Sequence, residues 1–367
     1  MAVSAHAQLV GSNPAPGALL PALPSTVDLD FSEAVTPAGR GISVYGPDGR
    51  LVNGAARAQG SRLSVALLSG GSEGTYAVIW TVIAADTHPS RGEFTFSVGR
   101  TSAVRAPGLG GGDVGLVSPL GLVLQALGRF LHFAGFALGF GAATYALFVG
   151  RDPRPLRLAG AGIALLLLAE PLALLAQTAS LDVAQTFDGD ALTGALASSF
   201  GRVLELHVAA ALLLWAVLGA LRQAPWLRWS VPALGLGLAA VDATAAHAIP
   251  ALPGPLGLAL NAIHVAAMGV WVGGLAAFAL APAGGFRRMA AWSTGLLVVS
   301  GAALALLHFV HPPDLVTTAY GGSLLVKVPL VAAALLLAWR GRRRWELVAL
   351  MAVLTVAAVL VSLPPPR

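Results

Sequence analysis

The chain has 367 residues, 56% hydrophobic and only 11% charged, with no cysteine and a formal net charge of +5; its mean hydropathy is +0.77. That composition excludes an ordinary soluble enzyme and indicates an integral membrane protein. The positive charge is nearly all arginine in short loops, a topology signal rather than a nucleic-acid footprint, and the missing cysteine excludes disulfides and thiolate metal sites.

Hydrophobicity is uneven along the chain. Residues 1–100 alternate apolar and polar positions between turn residues, whereas residues 119–363 form a series of apolar runs. The expected fold is therefore multidomain, an all-β sandwich followed by an all-α polytopic membrane domain of about eight helices. The expected boundaries are 1–5 for the end of a signal peptide, 6–100 for the β-domain, 101–118 for a Gly-rich tether and 119–367 for the membrane domain. Val3-Ser4-Ala5 fits a signal-peptidase site. Cleavage after Ala5 would make His6 the first residue of the mature chain.

Within the first hundred residues, Thr26 to Phe31 and Glu93 to Val98 alternate with period two, and Ile42 to Tyr45, Leu63 to Leu67 and Thr75 to Val82 are further strand candidates. Pro and Gly clusters separate them, the pattern of a small antiparallel sandwich. Its two histidines are His6 and His88, and Asp86 precedes His88 by two, so both project from one face of an extended strand. With His6 as a free N-terminus, its α-amine and Nδ1 can chelate one ion, and Asp86 and His88 complete a nitrogen and oxygen set that suits Cu(II). An exposed Asp and His at a strand end would leave the same spacing, so the residues alone keep both readings open.

The runs His6 to Gly17, Leu29-Asp30-Phe31-Ser32-Glu33, Gly74 to Trp80, Ala85-Asp86-Thr87-His88-Pro89 and Gly92 to Phe96 resemble the periplasmic copper-binding C protein of copper-resistance systems. The resemblance covers nearly all of residues 6–98 in order. It implies a cupredoxin-like or immunoglobulin-like β-fold that binds Cu(II) through His6 and its amine, Asp86 and His88. Thr87 stands where that family usually has Gly. No Met cluster is present in this half, so the separate Cu(I) site of some relatives is not expected.

Eight spans are expected at roughly 129–149, 156–179, 201–221, 229–249, 256–281, 289–309, 321–339 and 345–363. Arginines fill alternate loops: Arg151 to Arg157, Arg222 and Arg228, Arg287 and Arg288, and Arg340 to Arg344. The other loops carry Asp182, Asp188, Asp190 and Asp314. The positive-inside rule then puts both termini outside, in the periplasm of a bacterial inner membrane.

That orientation sets the membrane histidines in one outer layer: His132, His207, His247, His264, His308 and His311. His264 lies eight residues into its span, about 12 Å at 1.5 Å per residue. Glu170, Glu205, Asp242 and Lys327 fall in the same outer part, and intramembrane ionisable residues usually mark a site or a pathway. Asn261, His264, Met268 and Trp271 share one helical face. His264 with Met268 is the expected chelating pair, imidazole plus thioether favouring copper and Cu(I) in particular. His247 is expected to join them across the short Pro250 to Pro255 connection, with His207 and His308 as additional ligands. Lys327 reads as a counter-ion to a buried carboxylate; Glu205 and His207, two apart on a helix, point in different directions, so one of them is expected to orient a ligand rather than bind the metal. A histidine merely hydrogen-bonded to a neighbouring helix is the plain alternative for each.

Asn261 to Leu275, His247-Ala248 and Thr317 to Lys327 are similar to the copper-resistance D membrane protein. The whole chain thus resembles a natural C–D fusion. The resemblance implies Cu(II) capture outside and copper transfer or import through the membrane, as Cu(I) or Cu(II), by a transport protein rather than an enzyme. The implied partners are copper ions, the lipid bilayer and other periplasmic copper carriers, with no nucleic acid. Two rival readings stand beside it: a haem protein that reduces Cu(II) at the outer face, and copper storage or sensing without translocation.

Overall fold

The computed structural model describes residues 7–84, 89–104, 106, 119–150, 152–181, 186–245, 252–308 and 312–363. The chain divides into two units, Met1–Gly121 with Leu174–Arg202 and Leu122–Ala173 with Val203–Arg367. Eight strands come first: β1 (Leu9–Asn13), β2 (Leu19–Leu20), β3 (Thr26–Phe31), β4 (Val35–Tyr45), β5 (Asn53–Gln59), β6 (Arg62–Leu67), β7 (Gly74–Ala84) and β8 (Pro89–Val98). The helices follow as α1 (Pro119–Phe136), α2 (Ala142–Phe148), α3 (Arg154–Leu181), α4 (Gly189–Leu196), α5 (Ser199–Ala220), α6 (Ser230–Thr244), α7 (Gly254–Leu280), α8 (Phe286–His308), α9 (Asp314–Thr317), α10 (Ala319–Trp339) and α11 (Arg343–Ser362).

The strands of the first unit make two four-stranded sheets, ordered β1-β3-β6-β5 and β2-β8-β7-β4. All pairings are antiparallel except that of β2 with β8. The alternation in β3 buries Val27, Leu29 and Phe31 against Leu63 and Val65 of β6 and the inner faces of β4, β7 and β8. Trp80 anchors this core, edge-on to Phe31 at 5.1 Å between ring centroids. Gly92, its cross-strand partner, has to be glycine because a Cβ there would overlap the indole. Every strand stretch expected from alternation forms. Strand β5, with only alanines as apolar residues, is held otherwise: the buried Asn53 side chain accepts from the Val44 amide at 2.6 Å and donates to the Ile42 carbonyl at 3.0 Å. It thereby substitutes for missing ladder bonds.

The same unit includes the stretch from Leu174 to Arg202. Asp188 caps α4 by accepting from the Asp190 and Ala191 amides. Ala195 then packs with Ala38 and Ile83, flanked by Leu174 and Phe200, and the Ser199 hydroxyl donates to the Ala84 carbonyl at 3.3 Å.

In the second unit, seven helices among the described residues are long and apolar enough to cross a membrane. About eight were expected, and the eighth runs in part outside the described residues. The span expected at 229–249 is described as the 15-residue α6, and residues 246–251 lie outside the described part. The first span is longer than expected, 30 residues from Pro119 to Phe148, because α1 begins ten residues before the expected start at 129. A π-helical turn, Ala137–Gly141, joins α1 to α2. At this turn the backbone presses directly on α7: a Cβ on Gly141 would overlap the Gly269 carbonyl, and one on Gly273 the Ala137 carbonyl. Small residues permit that approach.

Candidate metal centre

Four helices of the second unit each bring one ionisable side chain to a common point. His132 comes from α1, Glu170 from α3, His207 from α5 and Asp242 from α6. Nδ1 of His132 and Nδ1 of His207 both lie 3.1 Å from the same oxygen, Oε1 of Glu170. On the far side of the rings, Nε2 of His132 is 3.0 Å from Oδ1 of Asp242, and Nε2 of His207 is 3.1 Å from it. The rings are 4.4 Å apart between centroids and tilted by 36°. His132, Glu170 and His207 are buried, and the Asp242 side chain is 11% exposed.

Local sequence explains the placement. His132 precedes the π-helical turn, and Glu170 immediately precedes Pro171 inside α3. The surroundings are apolar, with Phe136, Leu166, Ala211, Leu214 and Leu238 packed together. A carboxylate in such a place costs several kcal/mol unless it is paired and hydrogen-bonded. Here each carboxylate meets two imidazoles.

One nitrogen is not satisfied. Nε2 of His207 is buried and, although close to Asp242, lies off the line of a hydrogen bond. A buried nitrogen with no aligned partner is what an incoming cation would use. His132, His207 and Asp242 each offer one donor atom, all within 4.8 Å of one another. Imidazole bonds to a metal ion are about 2 Å long, so donors around one ion stand roughly 3–4 Å apart. Small side-chain rotations bring these three into that range, and Glu170 already holds both Nδ1 atoms so that both Nε2 atoms face Asp242.

Of the expected membrane ligands among the described residues, the structure brings only His207 into this cluster. His264 places Nδ1 3.0 Å from the Ser300 hydroxyl of α8. His308 donates from Nδ1 to the Leu304 carbonyl at 2.9 Å, with its ring 6.1 Å from that of Tyr320. Met268 is packed among apolar side chains. His6, Asp86, His88 and His247 lie outside the described residues. Glu205, expected to point away from His207, is exposed. Lys327, expected to balance a carboxylate, is half-buried in α10 and forms no ion pair among the described residues. A further carboxylate, Glu346 of α11, is buried.

Sequence reading set His132, Glu170 and Asp242 in the outer layer but did not join them as a ligand set. The signal was their charge inside apolar runs. What was missing was which helical faces meet.

Three family models match the chain in succession: the CopC domain over residues 9–99, the copper resistance protein D-like N-terminal domain over 120–254, and copper resistance protein D over 280–349. The chain belongs to the copper-resistance C/D family. All four cluster residues fall inside the range of the D-like N-terminal domain, and His264 falls between the two membrane ranges. Copper transport protein CutJ of Bacillus subtilis (strain 168) is 26% identical over 99% of this chain and 75% of its own length. Protein YobA of Escherichia coli (strain K12) is 34% identical, covering 26% of this chain and 81% of itself. Copper resistance protein C of Xanthomonas campestris pv. juglandis is also 34% identical, over 26% of this chain and 80% of its own. The chain is thus a multi-pass member of a copper resistance and transport family, and the C/D fusion expected from the motifs is what the matches give.

Proposed function

We propose that the chain captures Cu(II) outside the cytoplasm with its β-domain and passes it into the membrane unit for movement inward across the inner membrane. In this reading the α-amine and imidazole of His6, with Asp86 and His88, hold the captured ion, and copper is cargo throughout. Both termini face outward, as the arginine loops require.

The observation that carries the reading is the buried quartet of His132, Glu170, His207 and Asp242 inside the D-like domain. Two imidazole nitrogens with carboxylate oxygen form a borderline-to-hard donor set, which suits Cu(II) better than Cu(I). His132, His207 and Asp242 are the direct donors, and Glu170 orients both rings. His264, with Met268, His247 and His308, is the proposed further stop for the cargo. A haem held by two histidines is not favoured at the quartet, since a macrocycle between two axial imidazoles would hold their rings farther apart than 4.4 Å.

Metal analysis of the purified full-length chain tests this. His132→Ala and His207→Ala should each lose the membrane-bound copper and keep the copper of the β-domain. His88→Ala, or a blocked N-terminus, should do the reverse. Unchanged copper per folded molecule in a His132→Ala/His207→Ala double variant would remove the quartet from the pathway.

A further inference from the structure

A cleft of about 720 Å³ opens between the end of α2 and the start of α8, with no part in the copper site. Phe148, Val149 and Trp292 give it apolar lining. Gly284, Gly285 and Met289 line it as well, together with Arg287 and Arg288. No carboxylate lines it, and among the described residues neither arginine forms an ion pair. Both arginines are exposed.

The surroundings extend the same chemistry. The Phe148 ring packs on Trp229 at 4.9 Å, and the Arg228 guanidinium lies 5.4 Å over the Trp229 ring. Trp229 and Trp292 are 62% and 72% exposed. Exposed tryptophans beside arginines at the ends of apolar helices mark the headgroup level of a bilayer. The positive end of the α8 dipole adds to the local charge.

A soluble anion has no use for the Phe148 and Trp292 lining, and a neutral amphiphile has none for two guanidinium groups. An anionic amphiphile uses both. We propose that this cleft binds one anionic phospholipid, its phosphate held by Arg287 and Arg288 and an acyl chain laid along Phe148 and Trp292. The site is independent of copper.

The test uses the full-length chain in mixed micelles with phosphatidylglycerol, phosphatidylcholine or inorganic phosphate, read by native mass spectrometry. Phosphatidylglycerol should be retained and phosphatidylcholine should not. Each arginine near an anionic headgroup contributes about fivefold in affinity, so Arg287→Gln/Arg288→Gln should weaken phosphatidylglycerol roughly thirtyfold. Phosphatidylglycerol with brominated acyl chains should quench tryptophan fluorescence saturably, and Trp292→Phe should remove most of that quenching. Equal retention of phosphatidylcholine, displacement of the lipid by inorganic phosphate, or unchanged affinity in the double variant would each overturn the assignment.

Discussion

His132 and His207 place their imidazole rings 4.4 Å apart although they belong to different membrane helices. What fixes them is not their own contact but the carboxylates on either side, Glu170 at both Nδ1 atoms and Asp242 toward both Nε2 atoms. The cluster therefore depends on its acids as much as on its bases.

Glu170→Ala should cost stability as well as copper. It leaves two buried imidazoles without their shared acceptor, and breaking a buried pair in this way costs about 3–5 kcal/mol. Thermal unfolding of the solubilised chain measures it. A melting temperature equal to that of the parent would mean that the carboxylate does not hold the rings.

His264→Ala separates the two groups of membrane histidines. Copper accumulation by cells should fall to background, while copper bound at the quartet and in the β-domain persists in the purified protein. Normal accumulation by a well-folded variant would reduce His264 to a hydrogen-bond partner of Ser300.

The contact between the π-helical turn and α7 predicts a contrast among glycines. Gly273→Ala and Gly141→Ala put a methyl group into facing backbone, and overpacking of this kind costs about 1–3 kcal/mol. Gly160→Ala on α3 meets nothing within 4 Å, so it should gain up to about 1 kcal/mol from helix propensity. Melting curves of the three variants should move in opposite directions.

In the β-domain, Asp30 and Arg62 are cross-strand partners joined by two hydrogen bonds of 2.7 and 3.0 Å. The hydrogen bonds from the Arg62 guanidinium hold the Asp30 carboxyl below its ordinary range, against an opposing effect of burial. A depressed carboxylate contributes its stabilisation above the ordinary Asp pKa and loses it as pH falls through the lowered one. The contribution is small because both groups are exposed to solvent. Arg62→Gln should lower stability slightly at neutral pH and leave the acid end unchanged, so that the acid limb of the unfolding profile is flatter, and an acid limb identical to the parent's would show that the pair is fully screened.

The β-domain was legible in the sequence wherever alternation was strong. Thr26 to Phe31 and Glu93 to Val98 read directly as strands, whereas β5 carried no pattern and depends on the single buried Asn53. The membrane helices were legible from apolar runs and arginine loops, except α6, whose described length falls short of a span. The quartet was only half legible. A buried Glu170 and an exposed Glu205 look alike in an apolar run, because helix-face choice is set by packing against other helices. The face of Asn261, His264 and Met268 was easy to see for the opposite reason: its residues are local to one helix. Clusters assembled from four separate helices leave no such local trace.

The quartet also has an order in time. Along the chain its members run His132, Glu170, His207, Asp242, base and acid in alternation. Synthesis delivers the N-terminal segments first, so each carboxylate reaches the bilayer after a histidine has already arrived there. Neither acid has to wait in lipid as an unpaired charge, the state that is most expensive for it. A chain reordered so that α6 emerged before α1 would carry the same four residues and still present Asp242 to the membrane alone. The alternation makes biogenesis, and not only the finished site, compatible with burying two acids.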